Sequence, residues 1–125
     1  MRYVLLFHYS EETDESIGEE AIAEGMRAMD SYAATLEQAG ILVTGQVLQP
    51  STSSTTLTLV DGEPRVQDGP FADTKEQLGG VMVIDVPDLD TALHWARQAP
   101  PATWGTVEVR PGAVHTDSGT WVPSV

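Results

Sequence analysis

Two aspartates, an aromatic ring, an ammonium group and a glutamate stand close together between Asp68 and Gly80. The order is Asp-Gly-Pro-Phe-Ala-Asp-Thr-Lys-Glu-Gln-Leu-Gly-Gly. Asp68-Gly69-Pro70 is turn chemistry: Gly accepts positive φ, Pro fixes φ, and Asp can bond to backbone N–H groups just ahead of it. A carboxylate held at such a turn is placed either to move a proton as a general acid or base, or simply to cap its own turn. Lys75 could bind a substrate carboxylate or stabilise an enolate if it points into a pocket; pointing outward, it would pair with an acid to little effect. Phe71 is a lone aromatic in a polar loop, suited to line a pocket or to anchor the loop on the core. Glu76 lies beside Lys75 and is the remaining binding candidate.

His8 is the other proton-moving candidate. It ends an apolar run, and its ordinary pKa lets it exchange a proton near neutrality. A pairing of His8 with Asp68 is the dyad to look for; the competing reading is a half-buried histidine satisfied by a hydrogen bond. The remaining histidines, His94 and His115, are far apart in the chain, and no HExxH or similar spacing marks a metal site. His94 is expected to face solvent. No phosphate loop, dinucleotide glycine pattern or G-x-S-x-G elbow occurs, so no cofactor is expected.

These residues need a scaffold. Arg2–Tyr9 reads as a buried strand. An acidic loop over 11–16 follows, with Ser16 as a helix cap and Glu19 as its capping-box partner. From Ile17 to Ala39 the spacing of Ile22, Met26, Met29, Ala33 and Leu36 predicts a helix with one inner face, closed by Gly40. Tyr32 could face a cleft or the surface. Ile41–Leu48 reads as a strand with Gly45 as a possible bulge. Thr55–Val60 and Glu63–Gln67 form a hairpin about Asp61-Gly62, with Pro64 marking an edge. Val81–Val86 is a further buried strand. Asp88 caps a helix over Leu89–Gln98, with Ala92, Leu93 and Ala96 inward and Trp95 at the margin. Thr106–Arg110 is the last strand of the domain, with Val107 and Val109 on one side and Glu108 on the other. Residues 111–125 read as a tail whose Trp121 favours docking.

Strand, helix, strand, hairpin, strand, helix, strand is an α+β order of ferredoxin-like type: two split β-α-β units, an antiparallel sheet and helices on one face. The strands are apolar on both faces, so a second copy of the chain is expected to cover the open one.

The chain has 125 residues and 41% apolar composition, enough for one core. Its net charge of −13 and six Lys plus Arg argue against duplex nucleic acid and anionic membranes as partners. The charge suits solubility or a salty cytoplasm, or attraction of a cationic ligand or a basic protein. The apolar start is too short for a signal peptide and no cleavage site follows it, so a cytoplasmic location is expected. There is no cysteine, which excludes disulfides and thiolate metal sites.

The stretch DGPFADTKEQLGG resembles the signature of the YCII-related family, in the branch often called the DGPF domain. YVLLFHYSEE, AGILVTGQVLQP and VIDVPDLDTALHWA add to the likeness, which spans Arg2 to Arg110. The resemblance implies a dimeric α+β barrel in which two sheets face each other. It implies a cofactor-free pocket for a small organic molecule, with Asp68 as the functional acid and a His–Asp pair for acid–base chemistry. The branch often carries an aromatic where this chain has His8. Isomerisation, dehydration or elimination, the work of a lyase or isomerase, is the expected chemistry. The alternative it implies is a non-catalytic ligand-binding or regulatory protein acting with an alternative sigma factor.

Overall fold

The computed structural model describes residues 1–11 and 14–125. Strand β1 spans Arg2–Tyr9, as its apolar, aromatic-rich pattern predicts. A one-turn helix α1, Asp14–Ile17, precedes the long helix α2, Glu19–Gln38. They are separated by Gly18, whose φ of 83° is outside the helical range. Ser16 therefore lies inside α1, and the N-cap position of α2 falls on Gly18. Part of the acidic stretch is thus helical, and Glu12 and Thr13 within it lie outside the described residues. At the other end α2 closes as predicted. Gly40 has φ 73°, its N–H donates to Glu37 O, and the Ile41 N–H donates to Leu36 O, a Schellman arrangement.

Strand β2 is Leu42–Val47, β3 is Thr55–Val60, β4 is Glu63–Asp68 and β5 is Gln77–Asp85. The irregularity in β2 falls between Leu42 and Thr44, not at Gly45. Gly45 instead lies over Met82, where a Cβ would sit 3.3 Å from that side chain. Asp61 and Gly62, with φ of 51° and 81°, make the predicted tight turn between β3 and β4. Helix α3 is Leu89–Ala96, and Asp88 caps it by accepting from the Thr91 N–H at 2.8 Å. A one-turn helix α4, Pro101–Trp104, leads into β6, Gly105–Pro111. The remaining residues are not an extended tail: β7, Val114–Asp117, pairs with β8, Thr120–Pro123. This hairpin is tied to β1, since the Arg2 N–H donates to Ser124 O and the Gly112 N–H to Arg2 O. Ser124 is buried, whereas Trp121 faces outward and is 69% exposed.

The main sheet runs β2-β5-β1-β6, antiparallel throughout, with the β3–β4 hairpin as a separate ribbon. This is the ferredoxin-like α+β plan. The core lies between one sheet face and the helices: Tyr3, Leu5 and Phe7 from β1, Met82 and Ile84 from β5, Tyr32 and Leu36 from α2, Ala92 and Ala96 from α3. Tyr32 thus belongs to the core. Its hydroxyl donates to Trp95 O at 2.8 Å, and burial pushes its pKa up to about 12. Leu93 is exposed and the partly buried Trp95 packs on the core in its place. No helix among the described residues is long and apolar enough to cross a membrane.

Candidate active site

The alternation of β1 sends Tyr9 to the helix side of the sheet and His8 to the open side. The end of β1 is held by an irregularity in its neighbour. Phe7 pairs with Gly80 and His8 with Leu78, so Gly79 is the extra residue of a bulge. Its carbonyl accepts from the Tyr9 hydroxyl at 3.1 Å. A Cβ at Gly79 would fall 2.1 Å from the Tyr9 ring, so a larger residue there would displace that ring and its hydrogen bond. The Gly-Gly pair thus fixes where the β1 terminus, and His8 with it, comes to rest.

On the open face β6 supplies the partners. Thr106 lies opposite His8, Glu108 opposite Leu6, and Arg110 opposite Val4. His8 Nε2 is 3.0 Å from Glu108 Oε1, and Arg110 Nε donates to Glu108 Oε2. Arg110, and secondarily His8, hold the Glu108 carboxyl below the usual carboxylate range. An ionised Glu108 can only accept, so the Nε2 of neutral His8 carries the proton and Nδ1 is left as the basic nitrogen. The imidazole is 28% exposed, within reach of a ligand. The Thr106 hydroxyl donates to Glu76 Oε1 at 3.0 Å, which brings one carboxylate of the signature loop to the same edge.

The loop itself is shaped by backbone contacts. The Gly69 N–H, at a φ of 101°, donates to Ser54 O, and the Thr56 hydroxyl donates to Gly69 O. Gln77 Nε2 donates to Ala72 O at 3.0 Å, and the Thr74 hydroxyl to Glu76 O. Phe71 is 88% exposed, so it does not anchor the loop on this chain's core. It lines a cleft of about 590 Å³ with Pro70, Leu48, Pro50 and Leu78, the last being the strand partner of His8. Among the described residues, no three His, Asp or Glu side chains converge as a metal site would require.

A model of the YCII-related domain matches residues 1–112, which includes every residue of this cluster. The chain belongs to the YCII-related family. It is also similar to an uncharacterized protein of Rhizobium meliloti (strain 1021), with 39% identity over 118 residues, 92% of this chain and 94% of the relative.

In this YCII-related chain the structure joins His8 to Glu108 and Arg110, with Glu76 beside them through Thr106. It does not join His8 to Asp68. Asp68 closes β4 opposite Thr55, is exposed, and its carboxylate makes no hydrogen bond among the described residues. Lys75 is likewise exposed and without an ion pair among the described residues, although its carbonyl lies 3.5 Å from the Ser10 hydroxyl. Sequence reasoning had set Glu108 apart from Val107 and Val109 but assigned neither it nor Arg110 a role. The signal was there: Thr106, Glu108 and Arg110 put three polar groups on one side of an otherwise apolar strand.

Proposed function

We propose that this YCII-related chain is a cofactor-independent acid–base catalyst acting on a small organic molecule as a homodimer. The carrying observation is the His8–Glu108 contact at 3.0 Å, with Arg110 holding the far side of the carboxylate. A carboxylate that orients an imidazole is a recurring way to present one nitrogen as a base. In this reading His8 Nδ1 takes a proton from a carbon next to a carbonyl, and the electron pair moves onto the carbonyl oxygen. Arg110, 69% exposed, offers its remaining guanidinium N–H groups to that oxygen. Return of the proton to another atom completes an isomerisation; loss of a neighbouring leaving group completes an elimination or dehydration. Phe71 and the cleft beside it hold the substrate, Glu76 borders the base, Lys75 supplies a counter-charge, and Asp68 is the second proton carrier at the root of the loop.

The dimer is supported by the open face. Val4 and Leu6 of β1 lie opposite Val83 and Val81 of β5, and all four are only half-buried. A second sheet laid over them completes a barrel and encloses His8. A second reading, a regulatory protein acting with an alternative sigma factor, is favoured by the β3–β4 ribbon. Leu57, Leu59 and Val66 on one of its faces are 63, 69 and 64% exposed, as a protein-docking surface requires.

Deuterium uptake from D2O into a panel of ketones, lactones and oxo acids, followed by proton NMR, tests the catalytic reading. The wild-type chain is expected to catalyse exchange, and His8→Gln to lower it by about 10²–10⁴-fold with the fold intact. Exchange at an unchanged rate in His8→Gln rejects His8 as the base. Loss in Asp68→Asn alone transfers the role to Asp68. No exchange across the panel favours the regulatory reading.

A further inference from the structure

Behind His8, on the helix side of the sheet, lies a second cleft of about 550 Å³. Its floor is the end of β1 and β5 at Phe7, Tyr9 and Gly79. Its walls are the N-terminal half of α2, Leu48 and Trp104. The cause is visible along α2. The C-terminal half packs down through Tyr32 and Leu36, both buried, while Met26 is 48% exposed although it belongs to the same stripe. The helix stands away from the sheet where the sheet offers glycines instead of side chains.

Gly25 makes this opening informative. It lies in the interior of the 20-residue α2, where glycine is the least favourable residue short of proline. Gly79 and Gly80 each have a close neighbour: a Cβ would meet Tyr9 at 2.1 Å and Gln46 O at 3.0 Å, respectively. Gly25 has no such neighbour, since nothing stands within 4 Å of the place a Cβ would take. Yet Gly25 lines the cleft. A methyl or larger group would strengthen the helix and fill the space, and the sequence leaves the space open.

The lining also limits what can enter. Among the described residues Glu11 is the single charged one in the lining, and that carboxylate accepts from the Ser51 N–H and hydroxyl. With a chain charge of −13, an anion is disfavoured. Met26, Val47, Leu48 and Trp104 are each between 42 and 48% exposed around the opening, so an apolar guest would cover surface now in water. The volume falls within the range of about 300–1,000 Å³ typical of small-molecule sites. The Tyr9 hydroxyl, already donating to Gly79 O, keeps oxygen lone pairs for one donor on a guest.

The geometry points to a binding site for a neutral, largely apolar small molecule, on the opposite side of the sheet from His8 and meeting the cleft beside Phe71 only at Leu48, Gln49 and Pro50. Titration with the neutral dye N-phenyl-1-naphthylamine tests it, with tryptophan excitation to detect transfer from Trp104. Saturable binding at one dye per chain is expected, with transfer reduced in Trp104→Phe more than in Trp121→Phe. Gly25→Phe is expected to weaken the dye by at least about tenfold while its melting temperature does not fall. Should the ring unfold α2, Gly25→Ala tests the same space, with a higher melting temperature and dye binding weaker by about twofold. Changing Leu57 and Leu59 to Thr is expected to leave binding unaltered. Four results overturn the proposal: unsaturable or absent binding, equal affinity in both Gly25 variants, loss in the Leu57/Leu59 variant instead, or a changed sedimentation mass in Gly25→Phe without loss of dye. The last would assign the cleft to a protein partner. Equal affinity for the anionic 1-anilinonaphthalene-8-sulfonate would overturn the neutral class.

Discussion

The two faces of the main sheet are built from the same strands and end in opposite conditions. On the helix side Tyr3, Leu5 and Phe7 are 4, 0 and 1% exposed. Between them, on the other side, Val4, Leu6 and His8 remain half-buried. The first set is covered by α2 and α3; the second has no covering element from this chain among the described residues. The charged pairs follow the same division. Glu108 and Arg110 stand on the open face, while Val107 and Val109 of the same strand pack against the core. One face of β6 thus serves stability and the other presents ionisable groups, and a single strand does both because its side chains alternate.

The largest effect is expected where the comparison is sharpest, at adjacent residues of β1. Leu5→Ala removes a side chain with no exposed surface and is expected to cost about 2–5 kcal/mol in urea denaturation. Leu6→Ala, measured at a concentration low enough to give a single copy, is expected to cost clearly less, because its neighbours on that face are already partly in water. Equal losses would mean that the open face is as well packed as the covered one, and the contrast between them would be lost.

The next effect concerns assembly. Leu6→Glu is expected to leave circular dichroism unchanged and to shift sedimentation from the proposed dimeric mass to a monomeric one, since it sets a second carboxylate opposite Glu108 on the face that the second copy would cover. A dimer that survives this substitution is held elsewhere, and the β3–β4 ribbon becomes the first surface to test.

Much of this division was legible in the chain. Arg2–Tyr9 announced its strand through β-branched and aromatic residues, Gly40 its helix end, Asp61-Gly62 its turn and Asp88 its cap, because each rests on contacts within a few residues. The misses needed information from further away. Gly18 interrupts a good helical period, so the start of α2 is set by one backbone angle that periodicity does not register. Gly79 and Gly80 open the apolar strand as expected, but β5 already begins at Gln77, because pairing with Tyr9 and His8 of β1 extends it back into the signature loop. Leu93 and Trp95 exchange roles because the inner stripe of a short helix is decided by what it packs on. The β7–β8 hairpin, with Pro, Gly and Ser at its bends, showed too little alternation to be read as strands. For the site, His8 and Glu76 stood out as residue types. Glu108 is 100 positions from His8, and only the register between β1 and β6 brings the two together.

The smallest effect tests the ionised group on the open face. The Glu108 carboxyl lies below its ordinary 4.5 because Arg110 and then His8 bond to it when it is charged. A carboxyl depressed in the folded state adds stability above its unfolded pKa and loses that contribution as the pH falls through the folded value. The relevant window therefore lies at and below about pH 4.5, not near neutrality. Wild type and Glu108→Gln are expected to differ at neutral pH, with wild type the more stable, and their melting curves are expected to converge as the solution is acidified. The gap should be narrow, since the Glu108 and Arg110 side chains are 37 and 69% exposed, and about 1 M salt should narrow it further. Asp88 is the control on the other side of the molecule. Its pKa is lowered in the same direction by hydrogen bonds from Thr91, so Asp88→Asn should also flatten the acid limb. It should do so with much less response to salt, because a neutral hydroxyl and a backbone N–H stabilise that carboxylate where a guanidinium stabilises Glu108. If salt affects both variants alike, Arg110 is not what holds Glu108 ionised, and the ordering of His8 by a fixed charge loses its support.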